Sequence, residues 1–137
     1  MDKNEIIRLI NEAEYKTVFD LFSDIDNAEI RGILLEIAYD TESISVLGFV
    51  VFALHNTNSE FWSDLAIEIL LGVFSYIEGA YSIAYYLSVK ALKQNRNKEN
   101  LERLLFFNKL PEKLLKDDEA LKIKNEVLLM DSKQDFL

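Results

Sequence analysis

Apolar residues recur every three to four positions along most of the chain, and short polar runs interrupt them. That period lines one face of an α-helix with apolar side chains. It predicts about nine helices. The first runs from about Asn4 to Ala13, with Ile6, Leu9 and Ile10 on one side. The second, from about Tyr15 to Phe22, presents Val18, Phe19 and Phe22. Ser23-Asp24-Ile25-Asp26 breaks the pattern, and Asn27 is suited to cap the third helix, because a short polar side chain can accept a free backbone N–H. That helix carries Ile30, Ile33, Leu34, Ile37 and Ala38. Asp40-Thr41-Glu42-Ser43 is the next break, with Ser43 as the cap of helix four, from about Ile44 to His55. Helix four is apolar nearly all round and belongs in a core. Its β-branched residues Ile44, Val46, Val50 and Val51 leave a strand reading open.

Asn56-Thr57-Asn58-Ser59 forms a turn, with Ser59 capping helix five from Glu60 to about Tyr76. Helix six spans about Gly79 to Gln94, and a seventh follows Asn95-Arg96-Asn97 as far as about Phe107. Pro111 suits the first position of an eighth, where its missing N–H costs nothing. Asp117 or Asp118 opens a ninth, reaching about Met130, and residues 132–137 read as a tail. The C-terminal half also repeats itself. Ala84, Leu87, Ala91, Leu92 and Asn95 recur 36 residues later as Ala120, Ile123, Val127, Leu128 and Asp131. Small residues first, then apolar ones and a closing polar residue resemble the second helix of a tetratricopeptide repeat, whose period is roughly 34 residues. The expected architecture is therefore all-α, with stacked antiparallel helix pairs in a tetratricopeptide-like solenoid. One domain covers residues 1–137, with residues 1–26 as a candidate N-terminal cap.

Composition supports helices: four Gly and one Pro in 137 residues leave little material for hairpins or glycine-rich loops. There is no Cys, which removes disulfides and thiolate zinc sites. The charged start, Met1-Asp2-Lys3-Asn4-Glu5, is unlike a signal peptide. The longest apolar stretch, Ile44 to Leu54, is too short to span a bilayer. A cytoplasmic protein with no membrane partner is expected.

Charge is more informative in its distribution than in its total of -9. Residues 1–80 hold fifteen acids and four bases, whereas residues 81–137 hold nine acids and eleven bases. Between Arg31 and Lys90 there is no Lys or Arg, and seven acids fall there: Glu36, Asp40, Glu42, Glu60, Asp64, Glu68 and Glu78. A field of one sign speeds encounters with partners of opposite sign and repels nucleic acid, although solubility alone can also account for it.

Catalytic constellations are scarce. His55 is the only histidine, at a helix end where a capping or surface role suits it better than general base catalysis. No catalytic residue, metal set or cofactor is assigned: glycine-rich phosphate loops are missing, and so is the spacing of a calcium loop. Glu60, Asp64 and Glu68 recur at i, i+4 and i+8, a spacing at which like charges repel by a few tenths of a kcal/mol. A solvated face, a surface whose repulsion a cationic partner relieves, or, least favoured, a hard-cation carboxylate site explains such a stripe. Phe61-Trp62 and the tyrosines at 76, 81, 85 and 86 either seal a helix junction or supply aromatic anchors. The candidate partner-binding residues are therefore Asp40 and Glu42 in a loop, the stripe Glu60, Asp64 and Glu68, and Trp62, Glu78 and Tyr81 beside it.

From about Ile33 onward the order of segments resembles small helical bacterial immunity proteins, antidotes to polymorphic or contact-delivered toxins. The matching pieces are Leu34-Leu35-Glu36-Ile37-Ala38-Tyr39, Leu65-Ala66-Ile67-Glu68-Ile69-Leu70 and Tyr76-Ile77-Glu78-Gly79-Ala80-Tyr81. Leu104-Leu105-Phe106-Phe107, Pro111-Glu112-Lys113-Leu114-Leu115 and Glu119-Ala120 continue them. Where such relatives carry a His near the start of helix five, this chain has Phe61-Trp62, so no role passes to that position. The resemblance implies inhibition by binding and carries over no catalytic residue; independently, the lysine-free, acid-rich window suits a toxin partner with a basic cleft, and no enzymatic activity is expected. A general tetratricopeptide-like adaptor is the alternative, and a carboxylate hydrolase built on Glu60, Asp64 or Glu68 is the third reading.

Overall fold

Short polar side chains set most of the helix starts. In the computed structural model, which describes residues 2–135 (backbone alone for 133–135), Asp2, Asp26, Ser43, Ser59 and Asn97 each accept a backbone N–H from the turn they precede. The described residues form eight α-helices and no strand: α1 (Lys3–Asn11), α2 (Tyr15–Leu21), α3 (Asn27–Thr41), α4 (Ile44–Thr57), α5 (Glu60–Leu71), α6 (Ala80–Gln94), α7 (Lys98–Lys109) and α8 (Asp117–Asp135). The all-α expectation holds, and the strand reading of the Ile44–Val51 region does not.

Three local expectations are corrected. Asp26, not Asn27, caps α3, through a 2.9 Å bond from the Glu29 amide. Helix five ends at Leu71 rather than near Tyr76: Gly72 leaves helical geometry at φ -103° and ψ -87°, and a Cβ there would stand 2.7 Å from the Tyr39 hydroxyl. The chain then turns through 72–79, burying Val73 and Phe74, and Gly79 supplies the positive φ of 90° that precedes α6. The helix expected to begin at Pro111 is absent. Leu115 is buried, its amide bonds back to the Phe107 carbonyl, and Asn108 Nδ2 donates to the Leu115 carbonyl at 2.9 Å. Those ties hold 110–116 as a bent connection, so eight helices stand where about nine were expected. Residues 136–137 of the predicted tail lie outside the described residues, and residues 132–135 continue α8.

The chain divides into two compact units, Met1–Ala80 and Tyr81–Leu137. In the first, α4 packs against α1, α2, α3 and α5. It buries Val46, Phe49, Val50 and Ala53 but leaves Ile44 and Val51 exposed, so it is central without being covered on every side. Phe49 gathers an aromatic cluster, meeting the rings of Tyr15, Phe22 and Trp62 edge-on at 5.8–6.0 Å. Gly48 lets Tyr15 approach the α4 backbone, since a Cβ at that position would stand 2.6 Å from the Tyr15 hydroxyl. Ser45 Oγ donates to the Ile10 carbonyl at 2.6 Å and lies 2.7 Å from Tyr15 Oη, so the tyrosine is the donor of that second bond. One chain of bonds thus ties α1, α2 and α4.

The second unit is three antiparallel helices. The Asn100 side chain at the start of α7 donates to the Asn95 carbonyl just past the end of α6, and Tyr85 meets Phe107 near the other end. Arg96 grips Glu126 through two 2.7 Å bonds and Lys98 reaches Asp131 at 2.8 Å, fastening the α6–α7 turn to the C-terminal half of α8. α6 and α8 therefore run parallel, as the sequence repeat implies. Ala84 and Ala120 are both buried, and so are Leu87 and Ile123.

Candidate functional site

Helix α5 shows almost none of itself to solvent. Trp62, Ser63, Leu65, Ala66, Ile67, Ile69 and Leu70 are buried, whereas Glu60 and Asp64 are exposed and Glu68 is half-buried. The i, i+4, i+8 spacing makes this one line, with a rise of roughly 6 Å between successive acids. Glu60, Asp64 and Glu68 thus form the expected stripe on a helix whose other faces pack inward.

The stripe connects with further acids across α3. Arg31 grips Glu68 with both its Nε and a terminal nitrogen, the Nε–Oε2 distance being 3.0 Å. The carboxylate holds the guanidinium pKa above its ordinary value, chiefly through that hydrogen bond. At the other end of α3, Lys3 of α1 reaches Asp40 at 2.6 Å and Glu36 at 2.9 Å, and these two bonds raise the lysine pKa. The remaining bases of the unit are also engaged: Arg8 with Glu5 and Glu12, Lys16 with Asp20. All four Lys and Arg side chains of residues 1–80 are therefore in ion pairs, against fifteen acids. A net negative surface remains after internal pairing, with α3 between α1 and α5.

The other sequence-nominated residues divide. Glu42 is exposed and closes α3 in a left-handed conformation at φ 50°. Glu78 is exposed in the turn before α6. Trp62 is corrected: at 6% exposure it is a core residue held by Phe19, Phe49 and Phe61, so it offers no surface anchor. Tyr81 belongs to the second unit, is half-buried and packs edge-on against Phe106. The exposed large aromatics among the described residues are instead Tyr39, Tyr76, Tyr86 and Phe106, none of them in the nominated set; Tyr76 and Tyr86 were weighed as anchors, Tyr39 was not. Its place between the stripe and Asp40 is set by Gly72, which leaves room for the ring. Helical periodicity in α3, where Leu34, Ile37 and Ala38 point inward, could have found it.

His55 is exposed near the end of α4, and no group of three or more candidate metal-ligating side chains exists among the described residues. No helix among them is long and apolar enough to cross a membrane. Comparisons with known protein families, curated proteins and solved structures found no match to this chain.

The second unit has a different surface. An open groove of about 550 Å³ runs between α7 and α8, lined by Glu102, Leu105, Phe106, Lys109, Lys124, Val127 and Leu128. Its charge balance is opposite to that of the first unit, and sequence reading assigned it no role.

Proposed function

We propose that the chain is an immunity protein that binds and neutralises a cognate bacterial toxin, its acidic first unit covering a basic active-site cleft. The carrying observation is that acids outnumber Lys and Arg fifteen to four in residues 1–80, that all four of those bases pair with acids of the same unit, and that Glu60 and Asp64 are exposed on a helix buried along most of its length. A basic cleft supplies the counter-charge that the unit lacks. Such pairing chiefly accelerates association and selects the partner, and buried contacts then add affinity. The order of helical segments that resembles immunity proteins supports the same reading. Binding, not catalysis, is the proposed activity, and the cytoplasm, where a delivered toxin would act, is the proposed compartment.

The test is capture of the tagged chain's partner from its native host, washed at low and then at high salt. Recovery of one basic toxin domain, whose activity the chain abolishes in a stoichiometric complex, supports the proposal. Covalent alteration of the toxin, or a partner with an acidic binding face, refutes it. The second reading is a tetratricopeptide-like adaptor. It is favoured by the shared register of buried small residues in α6 and α8, and it would recover several unrelated proteins.

A further inference from the structure

The burial that the sequence repeat shares between α6 and α8 fails toward the end of the repeat, where Val127 is only half-buried against the buried Ala91. Leu92 is buried, but its counterpart 36 residues later, Leu128, is 62% exposed. Leu121 on the same helix is 60% exposed, and Phe106 of α7 also reaches solvent. Among the described residues no further helix covers this apolar seam, and a stacked array would lay one there.

The seam has the dimensions of a helix seat. Glu102, Leu105, Phe106 and Lys109 follow the i, i+3, i+4, i+7 pattern along α7, and Lys124, Val127 and Leu128 follow it along α8. Its rim carries a positive surplus. Lys109 and Lys124 make no ion pair among the described residues, whereas Glu102 faces Lys98 at 3.9 Å. Asp117, which also feels the charge of Lys124, is occupied by Lys113 at 3.0 Å and by Asn108 at 2.8 Å.

We infer that the α7–α8 groove is a docking site for an acidic amphipathic helix of a partner protein. The partner's apolar stripe would lie over Leu105, Phe106, Val127 and Leu128 while its flanking carboxylates meet Lys109 and Lys124. This is helix-in-groove recognition, in which regularly spaced anchors supply affinity and flanking charge supplies selection. It is independent of the acidic unit and of the toxin reading, since it calls for a partner of opposite charge.

The test uses the full chain and a labelled synthetic helix with Leu at i, i+3, i+4 and i+7 and Glu on its flanks. A second helix carries Lys in place of every Glu. Fluorescence anisotropy should show the acidic helix binding and the basic one failing, with amide shifts mapping to 102–109 and 121–128. Lys109→Glu/Lys124→Glu should weaken the acidic helix about tenfold or more and admit the basic one. Leu128→Asp, at an exposed position, should abolish binding of the acidic helix while the circular dichroism spectrum and melting curve stay unchanged. Equal binding of both helices, shifts mapping elsewhere, or no binding at all would overturn the inference. So would a concentration-dependent dimer of the free chain that Leu128→Asp dissolves, because the occupant would then be a second copy.

Discussion

Gly48→Ala tests how closely α2 and α4 fit. In an open helix the change should stabilise the protein by about 1 kcal/mol, because alanine is the better helix former. Here the added Cβ falls 2.6 Å from the Tyr15 hydroxyl and 3.3 Å from the ring carbon bearing it. The ring must retreat by nearly an ångström, which stretches or breaks the 2.7 Å bond to Ser45. Overpacking costs about 1–3 kcal/mol, and a disrupted part-buried hydrogen bond adds about 1 kcal/mol. After subtraction of the propensity gain, a loss of about 1–3 kcal/mol is expected. Tyr15→Phe alone should cost about 1 kcal/mol through the lost bond. In the double variant the offending oxygen is gone and the remaining 3.3 Å contact needs only a small shift. Urea denaturation of all four proteins should therefore show strong non-additivity, the pair costing at least about 1 kcal/mol less than the sum of the singles. Additive effects, or a stabilised Gly48→Ala, would refute the packing argument.

Other expectations follow from individual contacts. Ala13 sits at φ 61° after α1, where its amide reaches the Ile10 carbonyl and that of Glu14 the Leu9 carbonyl, a closure that favours glycine; Ala13→Gly should raise stability by up to about 1 kcal/mol in thermal melts, and a loss would contradict it. Trp62→Ala should cost about 3–5 kcal/mol, whereas Glu60→Gln/Asp64→Asn should shift stability by less than about 0.5 kcal/mol and slow association with a basic partner; calorimetry and stopped-flow kinetics separate the two. The hydrogen bonds from Arg96 hold the Glu126 carboxyl below the usual carboxylate range, so its contribution is full above that range and is lost as pH falls through the depressed folded-state value. Glu126→Gln should therefore lower stability near neutrality by up to about 1 kcal/mol and flatten the acid limb of the denaturation profile, and an unchanged limb would refute the assignment. Moderate salt should raise the melting temperature by screening the acid surplus of the first unit while slowing association with a basic partner, and melting that is indifferent to salt would show that surplus to be already balanced.

Much of the local structure was legible because it depends on neighbours in sequence. Ser43 and Ser59 cap the helices they precede, and the acids at 60, 64 and 68 share one face because helical spacing puts them there. What could not be read depends on residues distant along the chain. Trp62 looked like a surface anchor beside acids, but Phe19 and Phe49 enclose it. Pro111 had the right chemistry to start a helix, but Asn108 and Phe107 hold Leu115 in a bend. Asp40 and Glu68 looked like unrelieved charge until Lys3 and Arg31 reached them from other helices.

Those ion pairs sharpen the meaning of the charge pattern. The acid-rich and near-balanced halves of the sequence meet where the chain divides into two compact units, so the asymmetry belongs to folded bodies and not only to composition. In the first unit the few bases are spent joining helices: Lys3 ties α1 to α3, and Arg31 ties α3 to α5. In the second, Arg96 and Lys98 do the joining while Lys109 and Lys124, beside an apolar seam, make no ion pair among the described residues. Solubility needs net charge but does not need it sorted in this way. A protein that meets a basic partner with one unit and an acidic helix with the other does need it, because each surface then repels the partner of its neighbour.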